Sequence, residues 1–184
     1  MVFVTSQISI NWLSNDAWSE AFIGTRRIVY EILPSSNSEQ KAEDGALCQL
    51  AIIGSNHLME YALFDLLKPY VNSTNDKFSI SKKKLENASY FFALKNLLPK
   101  IAEQPVNLNY EPLKSTETLR MRRNETIHKT SAIATVEMSR SALFSAVEGT
   151  KYLYQICGQG FKYSSFLNKY PLSKEKYFST ITYP

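Results

Sequence analysis

Apolar side chains recur at helical spacing along this chain in four blocks, which polar or proline-containing segments separate. The pattern predicts helices over about 17–32, 46–68, 81–98 and 115–157. The segment Ser14–Asp16 offers N-cap side chains for the first helix, and Pro34 ends it. The last block is long for a helix in a small domain, so we expect a kink or break near 128–131.

The ends of the later helices also carry recognisable residues. Ser81 and Ser115 are the expected N-caps of the third and fourth blocks. Pro99 follows the third block and is expected to open the next connection. The sequence Gly158-Gln-Gly160 predicts the C-terminal stop of the last helix.

These elements predict an all-α protein, a compact antiparallel bundle of four to five helices. Glycine is scarce, with 6 residues, which argues against an all-β chain with many tight turns. The length of 184 residues fits one domain, so we expect a single helical domain over 1–184. Its tail, 161–184, is rich in aromatic residues and lysine. We expect this tail to pack on the helices as a strap, with RNA stacking as the alternative.

Composition excludes several classes of site. The chain has a net charge of +4, which is compatible with a polyanionic partner. Cys48 and Cys157 lack metal-binding or redox spacing and favour buried thiols in a reducing compartment. We find no secretion leader, no membrane span, no phosphate loop, no metal cluster and no cofactor motif. We therefore expect a cytoplasmic protein with neither metal nor cofactor.

One segment of nine residues concentrates the chemistry of the chain: Arg-Met-Arg-Arg-Asn-Glu-Thr-Ile-His, from Arg120 to His128. The imidazole of His128 can accept or donate a proton near neutral pH. A fixed guanidinium, which one of the three arginines Arg120, Arg122 and Arg123 can supply, can bind the extra negative charge of a phosphorane. The amide of Asn124 can orient the imidazole or a phosphate oxygen. This set of groups suits RNA cleavage without a metal.

Projected as one continuous helix, Asn124 and His128 lie one turn apart on a face opposite the main apolar stripe. Small residues continue this face: Ser131, Thr135, Ala142, Ala146 and Gly149. Small side chains allow another backbone to come close, which predicts a helix contact here. If the partner is a second copy of the chain, the contact brings both copies of His128 and Arg123 into one cleft.

The string Arg123-Asn124-Glu-Thr-Ile-His128 resembles the Arg-x4–6-His signature of HEPN domains, and the helices around it resemble the HEPN bundle. The resemblance implies a metal-independent endoribonuclease that leaves 2′,3′-cyclic phosphate ends. It also implies a homodimer with a composite site, and a toxin or phage-defence effector restrained by a cognate antitoxin. Its catalytic positions correspond to Arg123, Asn124 and His128, and Arg122 offers a competing register. We assign weaker RNA contacts to Arg120, Arg122 and Lys129.

The main alternative is a non-catalytic helical interaction module, such as an antitoxin, an adaptor or a defence-system subunit. It predicts a stable protein complex and no cleavage.

Two other polar residues have open roles. His57 lies near Asn56 and Glu60 on the second helix, where we favour a structural role over RNA contact. Arg140 lies on the apolar stripe of the last helix, where a paired position at the edge of the core is favoured.

Overall fold

A computed structural model describes the backbone of residues 17–74, 78–128 and 133–181, and their side chains except those of 126–128. Its helices are α1 (Ala17–Arg27), α2 (Asp44–Leu67), α3 (Lys82–Glu86), α4 (Tyr90–Phe92), α5 (Leu98–Ala102), α6 (Leu113–His128), α7 (Val136–Ile156) and α8 (Ser164–Lys169). Shorter turns are π-helical at Ile28–Ile32 and Ala93–Leu97, and 3-10 at Asn37–Glu39, Lys68–Tyr70 and Phe178–Thr180. No β-strand occurs within the described ranges, so the all-α prediction is confirmed. None of their helices is long and apolar enough to cross a membrane.

Helices α2 and α7 run parallel to each other at the centre of the bundle. The hydroxyl of Ser139 donates to the carbonyl of Cys48 (3.3 Å) near their N-terminal ends. Near the opposite ends, the Tyr154 hydroxyl donates to the Asp65 carboxylate (3.2 Å). Both helices run in the same direction between these two contacts. The segment that joins the end of α2 to the start of α7 must therefore cross back over the length of the bundle.

Helix α6 closes this crossover and runs antiparallel to α7. Thr116, early in α6, lies against Gly149, late in α7. At the other end, the guanidinium of Arg122 donates to the carbonyl of Ile133, just before α7 begins. Helix α6 is therefore held against α7 near both of its ends.

The predicted break in the last helical block is confirmed, since α6 ends at His128 and α7 begins at Val136. The Thr135 hydroxyl caps α7 by accepting from the Met138 amide (3.2 Å). A single helical projection across the break was therefore wrong, and Thr135 does not continue the Asn124 face.

Three helix ends differ in detail from the sequence expectations. Ser81 caps α3 as predicted, but that helix is short and α4 starts anew at Ser89. Helix α5 continues past Pro99, because a π-helical turn immediately before it widens the backbone around the proline ring. Ser115 is not a cap: α6 starts two residues earlier, and the Glu111 carboxylate accepts from the Ser115 amide (3.1 Å). The proposed cap at 14–16 lies outside the described residues.

The tail packs on the helices as the predicted strap. Tyr163 stacks on Trp18 of α1, with ring centroids 4.2 Å apart. Phe178 is fully buried, and its amide donates to the Ser145 hydroxyl of α7 (2.9 Å). The strap begins after Gly158, whose φ of +66° ends α7 at the predicted stop.

The small-residue face of α7 is covered by other helices of the same chain. Ala142, Ala146 and Gly149 are buried. A Cβ at Gly149 would collide with Thr116 of α6 and lie 2.8 Å from the Met59 sulfur of α2. The predicted close helix contact exists, but α2 and α6 supply it. The interpretation of this face as a seam for a second copy was therefore wrong, because its small residues are already covered. Ser131 lies outside the described residues.

Candidate functional site

Helix α6 carries the whole predicted motif. Arg120 lies at the middle of the helix, Arg122, Arg123 and Asn124 occupy its second half, and His128 is its last residue. Helical geometry keeps His128 one turn beyond Asn124. The side chain of His128 and all of Lys129 lie outside the described residues. The predicted catalytic residues thus share one helix, and the structure describes two of their three side chains.

The two adjacent arginines have different surroundings, and this difference bears on the choice of register. The guanidinium of Arg122 forms an ion pair with Glu125 (3.0 Å) and donates to the Ile133 carbonyl across the break. Its side chain is only 13% exposed. Arg122 therefore ties α6 to the start of α7.

Arg123 has a freer guanidinium. Its Nη1 donates to the side-chain oxygen of Asn124 (3.1 Å), and both side chains are half-buried. Within the described part of the chain, no carboxylate forms an ion pair with Arg123 within 4.0 Å. A positive charge that is oriented by a neighbouring amide, and not neutralised by direct contact, can accept a phosphate. Of the two adjacent arginines, Arg123 therefore has the fewer direct contacts among the described residues.

Arg120 is held by its own helix. Its guanidinium makes two hydrogen bonds to the Glu117 carboxylate, at 2.9 and 2.6 Å, and this pairing raises the pKa of Arg120. The same guanidinium lies over the ring of Phe91, 5.3 Å from its centroid. Arg120, for which we predicted an RNA contact, therefore forms a cation–aromatic pair with Phe91 that links α6 to α4.

A polar cluster on α2 faces the motif helix. The amide of Asn56 donates to the Glu60 carboxylate (3.0 Å), and the ring of His57 lies 3.3 Å from the other Glu60 oxygen. The hydrogen bond from His57, followed by the positive charge of Arg123, holds the pKa of Glu60 below its ordinary value despite partial burial. Glu60 is thus an anion within electrostatic reach of Arg123.

Sequence reasoning identified this α2 trio but did not connect it with the motif. The connection depends on the packing of α2 against α6, which no local pattern in the sequence reports. Three polar residues within five positions of a largely apolar helix were the available indication, because buried polar side chains on such a helix need a partner. His57 itself is exposed and its ring packs against Tyr61, with centroids 4.3 Å apart.

Other candidate groups lie apart from this cluster. Arg140 donates to the Pro34 carbonyl (3.4 Å) and lies over the Tyr30 ring, at the edge of the core. Cys48 and Cys157 are free, and burial raises the pKa of both thiols, that of Cys157 to about 11. In the described ranges, no group of three or more His, Cys, Asp or Glu side chains is arranged to hold a metal ion.

Comparison of the chain with protein-family models, with curated proteins and with solved structures finds no match in any of the three. A functional proposal therefore depends on the site residues themselves.

Proposed function

We propose that this protein is a metal-independent endoribonuclease of the HEPN type, with Arg123, Asn124 and His128 as its catalytic residues. One observation carries the proposal, the difference between two adjacent arginines. The guanidinium of Arg122 is bound to Glu125 and to the Ile133 carbonyl. That of Arg123 is oriented by Asn124 and forms no direct ion pair among the described residues. The Arg-x4-His spacing supports it further.

The chemistry assigns one role to each group. The ribose 2′-oxygen attacks phosphorus while the bond to the 5′-oxygen breaks. A neutral imidazole takes the 2′-hydroxyl proton, and an imidazolium returns a proton to the departing 5′-oxygen. His128 supplies the ring for both proton transfers. Arg123 stabilises the negative charge of the phosphorane, and Asn124 fixes the guanidinium. The products are a 2′,3′-cyclic phosphate and a 5′-hydroxyl.

Glu60 has a positioning role in this scheme. A carboxylate near Arg123 holds the guanidinium on the α2 side of α6, and the bonds from Asn56 and His57 fix that carboxylate. Since a displacement of about 1 Å can cost ~100-fold in rate, loss of this support should slow cleavage.

The physiological role that accompanies this activity is that of a cytoplasmic toxin or phage-defence effector, with a cognate antitoxin as its partner. A homodimer with a composite site is part of the same proposal. Because the small-residue face of α7 is covered, a second copy would use another surface near α6. One such surface contains Met121 and Ile133, two apolar side chains near Arg122 that are 57% and 54% exposed.

The same exposed pair favours the alternative function, a non-catalytic interaction module that binds another protein through this end of α6. The two functions differ in what His128 does. The module requires no imidazole at the end of the helix, whereas the nuclease loses its proton acceptor without one.

The test is incubation of a labelled mixed RNA pool with purified protein in EDTA, followed by analysis of fragment sizes and end groups. We expect cleavage to cyclic-phosphate ends by the wild type, and its loss in His128→Ala and Arg123→Ala. Arg27→Ala is the matched control, since Arg27 is 72% exposed on α1. Undiminished cleavage by His128→Ala, or no cleavage by folded wild type, contradicts the proposal.

A further inference from the structure

Helices α3 and α4 form a basic pocket on the surface of the bundle. Its volume is about 580 Å³. The lining residues are Ser81, Lys83, Lys84, Asn87, Ala88, Ser89 and Phe92. Asn87, Ala88 and Ser89 separate the two helices, so the pocket lies where the chain passes from one to the other. Neither the proposed catalysis nor the core of the bundle uses this pocket.

The charges at the pocket are positive and largely uncompensated. Lys82 is 3.7 Å from Glu86 and forms an ordinary i,i+4 pair. Lys83 and Lys84 are exposed, and neither forms an ion pair with any residue that the structure describes. The positive charges of two consecutive lysines at the wall of a pocket attract an anion.

Two consecutive phenylalanines lie beside these lysines and are exposed. Phe91 and Phe92 are 37% and 38% exposed, although the neighbouring Tyr90 and Ala93 are buried. Phe92 lines the pocket. The ring of Phe91 has the Lys95 ammonium 4.2 Å from its centroid and the Arg120 guanidinium 5.3 Å from it. Flat rings with cations beside them are the groups that hold unpaired bases and their phosphates.

This surface leads to the proposed catalytic residues. Phe92 and Phe91 are consecutive, Phe91 contacts Arg120, and Arg120 is one helical turn before Arg123 and Asn124 on α6. A nucleic-acid strand with a base stacked on Phe92 can therefore continue past Lys95 and Arg120, the cations that lie over Phe91, toward Arg123.

We propose that the α3–α4 surface, formed by Lys83, Lys84, Phe91, Phe92 and Lys95, binds single-stranded RNA and guides it to Arg123. This inference names the substrate class of the proposed nuclease and rests on that function. Unpaired RNA is the fitting ligand because its bases are free to stack on a ring, whereas the bases of a duplex are already stacked on each other. The lysines bind phosphates and supply no base specificity.

The experiment measures binding without cleavage. Full-length His128→Ala protein is titrated into a fluorescent single strand of about 12 nucleotides, and separately into a duplex of the same length, at several salt concentrations. The test variants on this background are Phe92→Leu, which keeps apolar bulk but removes the flat ring, and Lys83→Gln with Lys84→Gln. The matched control is Lys169→Gln with Lys174→Gln, which removes two exposed lysines from the region of the strap. Circular dichroism checks that every variant is folded.

We expect Phe92→Leu to weaken single-strand binding about fivefold or more, the effect of losing one stacked base. The Lys83/Lys84 variant should make the slope of log K against log salt shallower by about 1.4, since each lost phosphate contact on a single strand contributes ~0.7. The strap variant should change the slope less, and the duplex should bind more weakly than the single strand.

Equal effects of the two lysine pairs, an unchanged affinity in Phe92→Leu, tighter duplex binding, or no RNA binding at all each overturn the proposal. The last result would point to a protein partner for this surface. The outcome is separable from that of the cleavage assay: RNA bound through the α3–α4 surface by a protein that never cleaves would refute the nuclease and leave the binding surface in place.

Discussion

Replacing Gly149 with alanine tests the close approach of α6 and α7 behind the motif. A Cβ at this position would collide with Thr116 Cγ2 of α6 and lie 2.8 and 3.0 Å from Met59 Sδ and Cε of α2. The methionine can rotate away, because its thioether end is flexible. Thr116 cannot move easily, since it is branched at Cβ, is buried and donates to the Leu113 carbonyl (2.8 Å).

Two opposing contributions set the size of the effect. Alanine is favoured over glycine in a helix by ~1 kcal/mol. Forcing an extra methyl group into a packed core costs ~1–3 kcal/mol. Because the contact with Thr116 is far shorter than van der Waals distance, we place the cost at the upper end. The net prediction is that Gly149→Ala lowers the free energy of unfolding by about 1–2 kcal/mol, a fall of roughly 2–8 °C in Tm.

Urea and thermal unfolding followed by far-UV circular dichroism measure the change, and two further variants isolate its cause. Gly24→Ala, on the exposed side of α1 with no atom within 4 Å of the new Cβ, should raise stability by up to ~1 kcal/mol. Adding Thr116→Ser to Gly149→Ala removes the colliding methyl and keeps the hydroxyl, and should restore part of the loss. If Gly149→Ala is as stable as Gly24→Ala, α6 and α7 do not approach as described.

Two more predictions concern the motif and its α2 support. Arg122→Gln should lower the free energy of unfolding by about 1–3 kcal/mol in urea titration, whereas Arg123→Gln should cost less and abolish RNA cleavage; the reverse pattern would reassign the register. Glu60 has a lowered pKa in the folded state, so its contribution to stability is present above the unfolded pKa and is lost as pH falls through the folded pKa. Between about pH 6 and about pH 4 the wild type should therefore lose more stability than Glu60→Gln, and equal losses would contradict this.

Local patterns sufficed for part of the helical structure. Apolar spacing predicted α2 to within about two residues, and the Ser81 cap and the Gly158 stop follow from side-chain and backbone preferences that act over a few residues. Pro99 shows the limit of such preferences. A proline usually ends a helix, but the buried side chains of Leu97 and Leu98 keep this segment on the core, and a π-helical turn accommodates the ring.

The candidate site was predictable only along α6. The spacing from Arg123 to His128 is visible in the sequence, but the choice between Arg122 and Arg123 depends on which guanidinium reaches the Ile133 carbonyl across the break. The proximity of Glu60 to Arg123 depends on the pairing of two helices far apart in the chain. For the same reason the sequence could not show that α2 and α6 cover the small residues of α7.

The parallel arrangement of α2 and α7 affects when the proposed site can form during synthesis. The contact between Cys48 and Ser139 joins residues 91 positions apart. Contacts this distant form late, since the chain must first pay the loop-closure entropy. Helix α6 leaves the ribosome before α7 does, so its motif lacks the contacts with Ile133 and Gly149 until α7 has also emerged. If the protein cleaves RNA, this order of assembly would delay the formation of an active site while the chain is still close to its own messenger RNA.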